Sequence, residues 1–157
     1  MKGTDVNIFE PSGIATKEQI ATVLWRISDS PEIQSSHSFS DAKRGSWYES
    51  ALSWAAEYGI AEGSGGNFGI GLPVSREDLI VMIYRYAAYL GMDTSEKAEL
   101  SGFADHEMVS SYAFDAFSWA KEKGIINGTD ENKLDPKGES TRAQIAAIMM
   151  RFGEMIE

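Results

Sequence analysis

A displacement of 125 residues lays the first 26 residues of the chain on residues 126–151 without a gap, and eleven positions are identical. Gly3, Thr4, Asp5, Asn7, Pro11, Gly13, Thr16, Gln19, Ile20, Ala21 and Arg26 fall on Gly128, Thr129, Asp130, Asn132, Pro136, Gly138, Thr141, Gln144, Ile145, Ala146 and Arg151. A chain that repeats itself at this scale folds as copies of one small unit. No single copy is large enough to bury its own apolar face, so neighbours must share a core. The middle of the chain carries the same unit more loosely, with Phe68, Ser75, Arg76 and Arg85 at the spacing of Phe9, Thr16, Lys17 and Arg26.

A second half-unit occurs twice. Phe39-Ser40-Asp41 followed by the segment from Trp47 to Ile60 matches Phe103-Ala104-Asp105 followed by the segment from Tyr112 to Ile125, with one extra loop residue in the later copy. The organisation is therefore the second half of a repeat at 1–28, a full repeat at 39–90 and another at 103–156. The separators 29–38 and 91–102 are rich in Ser, Glu and turn formers and read as exposed linkers.

Each full repeat resolves into two helices around a turn-rich loop. Trp47, Ala51, Trp54, Ala55 and Tyr58 recur at helical spacing and form one apolar face. Ser46 with Glu49 has the form of a capping box, and Gly59 suits the left-handed residue that closes a helix. The loops 63–73 and 128–138 hold the Gly, Asn, Asp and Pro of consecutive turns. Thr16 with Gln19 and Thr141 with Gln144 are capping boxes, and Ser75 with Asp78 is a weaker version. Behind them run Ile20, Val23, Leu24 and Ile27, then Leu79, Ile80, Ile83 and Tyr86, then Ile145, Ile148, Met149 and Phe152. No strand alternation competes, so the expected fold is all-α, built from tandem helix–loop–helix repeats.

Composition removes whole classes of function. Fourteen Lys and Arg against 24 Asp and Glu leave a formal charge of −10, with no basic cluster. That excludes a nucleic-acid footprint or anionic lipid as partner. No apolar run reaches the roughly 18 residues of a membrane span, so membrane insertion is not expected. With no Cys and only His37 and His106, thiol nucleophiles and thiolate or multi-His metal centres are absent. The segment 130–135 superficially resembles a calcium loop, but Leu134 stands where an oxygen ligand belongs and Asp135 where a Gly belongs. No acid pair stands out from the repeat pattern as a hydrolytic couple. The expectation is a non-enzyme without metal or cofactor. The segment Met1-Lys2-Gly3-Thr4-Asp5 has no apolar core and does not read as a signal peptide.

Phe-x-Asp, a Trp/Tyr-containing Ala-x-x-Trp-Ala helix, Gly-Ile, a turn-rich loop and a Thr-Arg-Ala-Gln helix start together resemble the S-layer homology domain over about residues 1–152. The resemblance implies a pseudo-threefold bundle with helix–loop–helix prongs. It also implies non-covalent binding of a secondary cell-wall polysaccharide, often capped by a pyruvate ketal, in grooves between repeats. The implied location is extracellular, at the cell wall or S-layer, as part of a larger exported protein. The alternative is a helical protein–protein assembly module without sugar recognition. The chain departs from the family pattern in lacking the first helix of repeat one, in Lys17 for Arg, and in Ser75 for Thr. The final Glu of that motif is Gln19, Asp78 or Gln144, and the middle loop is unusually Gly-rich.

Candidate ligand-binding residues follow the repeat register. Lys17, Arg76 and Arg142 each hold the first helical position behind Thr16, Ser75 and Thr141, where the helix dipole disfavours a cation. The alternative is an ordinary solvated cation paired with a nearby Glu; three copies of a locally unfavourable choice point instead to helix-end N–H groups and a cation converging on one anion, such as a carboxylate or ketal. Arg can fork onto a carboxylate and Lys cannot, so Lys17 is the weaker site. These cations are expected to be exposed and nearly neutral for folding. Trp54 and Trp119 suit either the core or a sugar-stacking surface. Asp41 and Asp105 suit backbone N–H groups in the turn before the first helix, or ligand hydroxyls. Gly63 and Gly128 suit tight turns, or a sugar approaching the backbone. The apolar face of helix 16–27 lacks its own first helix, so an upstream helix or a homodimer through the incomplete repeat is expected to cover it.

Overall fold

The computed structural model describes residues 10–157. The repeat positions Gly3, Thr4, Asp5, Asn7 and Phe9 lie outside the described residues. Five α-helices make up the body: α1 (Lys17–Ile27), α2 (Glu49–Glu57), α3 (Arg76–Tyr89), α4 (Phe114–Glu122) and α5 (Arg142–Ile156). Two single 3₁₀ turns, His106–Met108 and Ser111–Ala113, lead into α4. The described residues hold no strand, only isolated bridges, so the fold is all-α as expected. No helix among them is long and apolar enough to cross a membrane.

The helix ends follow the local chemistry, with two exceptions. At α5 Thr141 accepts from the Gln144 N–H at 3.2 Å, and the Gln144 amide oxygen accepts from the Thr141 N–H at 3.0 Å. Gln19 returns to the Thr16 N–H at 3.0 Å in the same way. Gly59 (φ 65°) and Gly124 (φ 71°) close α2 and α4, which lets Ile60 and Ile125 donate back to Ala55 and Ala120 at 2.8 Å each. The expected box at Ser46 does not form: Tyr48 caps α2, and the Glu49 carboxylate accepts from the Gly45 N–H instead. At Ser75 only half a box exists. Ser75 Oγ accepts from the Asp78 N–H, but the Asp78 carboxylate turns outward to Tyr112.

Packing couples neighbouring repeats more than it completes each one. α1 lies on α2, α3 on α4, and α1 on α3. The second helix of one repeat is thus covered by the first helix of the next. On the face of helix 16–27, Ile20 and Leu24 are buried where α2 packs on α1, while Val23 is half-buried and Ile27 is 52% exposed, so α2 covers part of that face. Another open position lies on α5. Met150 is 63% exposed, at the repeat register where Tyr84 packs edge-on against Trp119 at 5.5 Å. Tyr86 links α3 to the end of α1 and to α5. It shares a hydrogen bond with Ser28 at 2.9 Å and packs on Phe152 at 5.8 Å.

The segments preceding α1, α3 and α5 close a ring of backbone hydrogen bonds. Ala15 N–H donates to the Ser140 carbonyl at 3.3 Å, Ser140 N–H to Val74 at 3.0 Å, and Val74 N–H to Ala15 at 2.9 Å. Three equivalent residues so far apart in sequence thereby satisfy one another's buried polar groups. The separators are less free than composition suggests. Trp25 Nε1 donates to the Pro31 carbonyl, the His37 N–H donates to Ser53 on α2, and the Ala98 N–H donates to the Ser118 carbonyl of α4. His37 and Leu100 are buried, so each separator runs back along the first helix of its repeat.

Candidate functional site

The loops after α2 and α4 are held by a carboxylate that belongs to the preceding turn. Asp41 accepts from the N–H groups of Phe68, Gly69 and Ile70 at 2.8, 2.8 and 2.9 Å. Asp105 accepts from Leu134 and Asp135 at 2.8 Å each. The expectation placed these N–H partners in the turn before the first helix; they come from the loop beyond it. Burial pushes the Asp41 carboxyl upward, but the backbone donors outweigh it and hold it below the usual carboxylate range. The pair therefore fixes the backbone from which each junction is built.

Gly63 and Gly128 belong to the same construction. A Cβ on Gly63 would lie 2.3 Å from the Asn67 carbonyl oxygen and 2.7 Å from the Phe39 ring; one on Gly128 would lie 2.7 Å from the Phe103 ring. The group that approaches these glycines is the Phe of the Phe-x-Asp motif. Trp54 and Trp119 are fully buried and stand in the core, beneath the surface a ligand can reach. Exposed aromatics include Trp47 and Tyr112 just before α2 and α4, 58% and 53% exposed, together with Tyr58 and Phe114.

Against these loops the cations of the repeat register converge. Lys17 Nζ donates to the Glu62 carbonyl at 2.7 Å and lies 4.8 Å over the Phe68 ring. Arg76 Nε donates to the carbonyl of Leu134 at 2.8 Å, and Leu134 is the residue equivalent to Phe68. The first helical residue of one repeat thus rests on one loop position of the next. Each has a second cation near enough to disfavour its charge: Arg85 for Lys17 and Arg151 for Arg76. Burial lowers both Lys17 and Arg76 from their ordinary values, opposed most by Asp78 and by Asp135 respectively. Arg85 pairs with Glu62 at 3.6 Å, and Arg151 donates to the Ile125 carbonyl at 3.1 Å.

Arg142 stands apart. It is 7% exposed, which corrects the expectation of an exposed cation. The loop it would meet by repeat register contains Phe9, outside the described residues. Sequence reasoning overlooked Arg85 and Arg151 as site residues, although Arg26, Arg85 and Arg151 recur in register and that recurrence was the available signal. It also overlooked Asp78 and Tyr112, which meet across repeats and leave no trace in the spacing.

At the first junction the arrangement lines an open cleft of about 620 Å³, with Phe68, Val81 and Met82 buried beneath it and Lys17, Arg85 and Asp78 around it. A cleft with both apolar and charged lining can take a ring with one apolar face and polar edges. The family model for the S-layer homology domain matches residues 38–80 and 102–146.

The chain belongs to the S-layer homology domain family.

An S-layer homology region is a cell-surface anchoring module, and its place is outside the cell at the wall or surface layer. The chain is 31% identical over 141 residues to an amylopullulanase of Thermoanaerobacterium thermosulfurigenes, covering 90% of this chain and 8% of the relative. It is 32% identical over 141 residues to the exoglucanase XynX of Acetivibrio thermocellus, covering 90% of this chain and 13% of the relative. Over 158 residues it is 28% identical to an S-layer protein of Bacillus thuringiensis subsp. finitimus, covering 95% of this chain and 18% of the relative. The S-layer homology region here thus spans under a fifth of these three relatives.

Proposed function

We propose that this S-layer homology region anchors a larger exported protein by binding a secondary cell-wall polysaccharide non-covalently at the junctions between its repeats. The ligand is an anionic, pyruvate-ketal-like terminal sugar. The observation that carries this reading is the recurrence of two cations, Lys17 with Arg85 and Arg76 with Arg151, at equivalent places on two junctions. Structural need alone explains one such pair; it does not explain two like charges brought together twice. Because the Leu134 carbonyl fixes Nε of Arg76, the terminal nitrogens remain to fork onto a carboxylate. The ring of Ala15, Val74 and Ser140 supports a pseudo-threefold arrangement of the three units, with the loops as prongs.

Binding to isolated cell-wall sacculi, before and after acid extraction of the polysaccharide, tests the reading. The protein is expected to sediment with intact sacculi and to stay in solution with extracted ones. Arg76→Ala is expected to weaken sedimentation at least tenfold, and Arg76→Lys to restore only part of it. Equal binding to extracted sacculi, or full binding by Arg76→Ala, would leave a protein–protein module as the better account.

A further inference from the structure

The two junctions differ in charge at the positions that face a ligand. At the first, Lys17 and Arg85 stand opposite Glu62 and Asp78. At the second, Arg76 and Arg151 are joined by Lys133 in place of Asn67, while Gln144 replaces Asp78 and Asn127 replaces Glu62. Three acids are gained in that loop: Asp135 in place of Gly69, and Asp130 and Glu131 where the first loop has Gly65 and Gly66. Lys133 is itself paired with Glu131 at 2.6 Å. Asp41 and Asp105 occur in both and cancel in the comparison. Over the positions that line the first junction, two cations face two acids, whereas the equivalent positions of the second hold Arg76, Arg151 and Lys133 against Asp135 alone; Asp130 and Glu131 replace Gly65 and Gly66, which do not line the first cleft.

Asp78 is the residue that decides the difference. It lines the first cavity and is one methylene shorter than Gln144, which folds back to the Thr141 N–H. The Asp78 carboxylate accepts instead from the Tyr112 hydroxyl at 2.8 Å. Tyr112, also in the lining, comes from the third repeat, and its one hydroxyl proton lies between the Asp78 and Glu77 carboxylates, the latter at 3.1 Å. It fixes a carboxylate in the same cleft as Lys17, near enough to favour the ammonium charge without a direct ion pair. A carboxylate entering the cleft would have to sit beside the Asp78 carboxylate.

Resting on the carbohydrate-binding reading above, we infer that the junction between repeats one and two takes an uncharged sugar unit, with Asp78 as the residue that excludes an anionic one. The ketal-bearing terminus is left to the junction of Arg76 and Arg151. Leu72, in the lining and 62% exposed, offers an apolar surface to one face of a pyranose ring, above the buried Phe68, Val81 and Met82. Hydroxyl groups can be met by the carboxylate of Asp78, the Lys17 ammonium and the Tyr112 hydroxyl.

Amide NMR titration of the folded protein separates the possibilities. The probes are the methyl glycoside of N-acetylglucosamine, which is uncharged, and its 4,6-pyruvate-ketal derivative, which is anionic. The neutral glycoside is expected to shift the Gly63 and Gly69 amides. The ketal is expected to shift Gly128 and Asp135, and to shift Gly63 only at about tenfold higher concentration. Asp78→Asn should remove that gap, and Gln144→Asp should weaken the ketal at Gly128, with the melting temperature of each variant checked separately. Equal ketal titration of Gly63 and Gly128 in the unaltered protein would overturn the inference, as would an Asp78→Asn variant without effect. If the ketal shifts Gly128 while the neutral glycoside leaves Gly63 unmoved, the inference fails and the anchoring reading stands. If neither probe moves either junction, both fall.

Discussion

At the scale of single residues, the Asp41 carboxylate joins three consecutive amides of a loop 27 to 29 positions ahead of it. Neutral substitutes cannot reproduce that. Asparagine offers one acceptor oxygen, and its amide group would face an N–H donor. Asp41→Asn is therefore expected to cost about 1–3 kcal/mol, the range for leaving buried donors unsatisfied, measured by urea denaturation. Gly63→Ala should destabilise by a similar amount, because its Cβ meets a backbone carbonyl at 2.3 Å and the loop must shift. A variant at Gly63 that kept full stability would show that the loop relaxes freely. The sequence made Asp41 and Gly63 visible as repeated residues, but not their partners. A carboxylate's choice among backbone donors depends on the path of a loop, and spacing does not encode that path.

At the scale of elements, helix type and extent were legible, because apolar periodicity and the Thr16 and Thr141 caps agree with the final fold. What escaped was which helix covers which. Periodicity gives the width of an apolar face and says nothing of its partner, so the cover that α2 gives Ile20 and Leu24 was not legible. Trp54 and Trp119 were ambiguous for a related reason, since an aromatic on an apolar stripe reads the same whether the stripe meets a helix or a sugar. The pairing rule has a measurable consequence. Tyr84 and Met150 hold one register position, but Tyr84 packs on Trp119 while Met150 is 63% exposed. Tyr84→Ala is expected to cost roughly 1.5–3 kcal/mol, below the range for a fully buried aromatic, and Met150→Ala to stay within about 0.5 kcal/mol. Similar losses at the two positions would mean that something covers α5 in solution.

At the scale of the whole molecule, the repeats are tied together by groups whose charge depends on pH. Glu77, on α3 and 4% exposed, accepts from Lys137 at 2.6 Å and from Ser110 and Tyr112, so one carboxylate binds repeat two to both the loop and the turn of repeat three. Burial pushes its carboxyl upward, yet the Lys137 ammonium and the Ser110 donors prevail and hold it below the usual range. Asp41 is lowered in the same sense. A group with a depressed folded value contributes stability that is fully present above its unfolded value, about 4 for these acids, and is lost as pH falls through the folded one. Stability should therefore be flat from neutral pH down to about 5 and fall below about 4. Glu77→Gln should lower the plateau and make the acid-side decline shallower, because one proton-linked contact has gone. Melting temperature against pH for the two proteins checks this. Parallel curves with an unchanged acid slope would show that the Glu77 cluster contributes packing at the junction and no proton linkage.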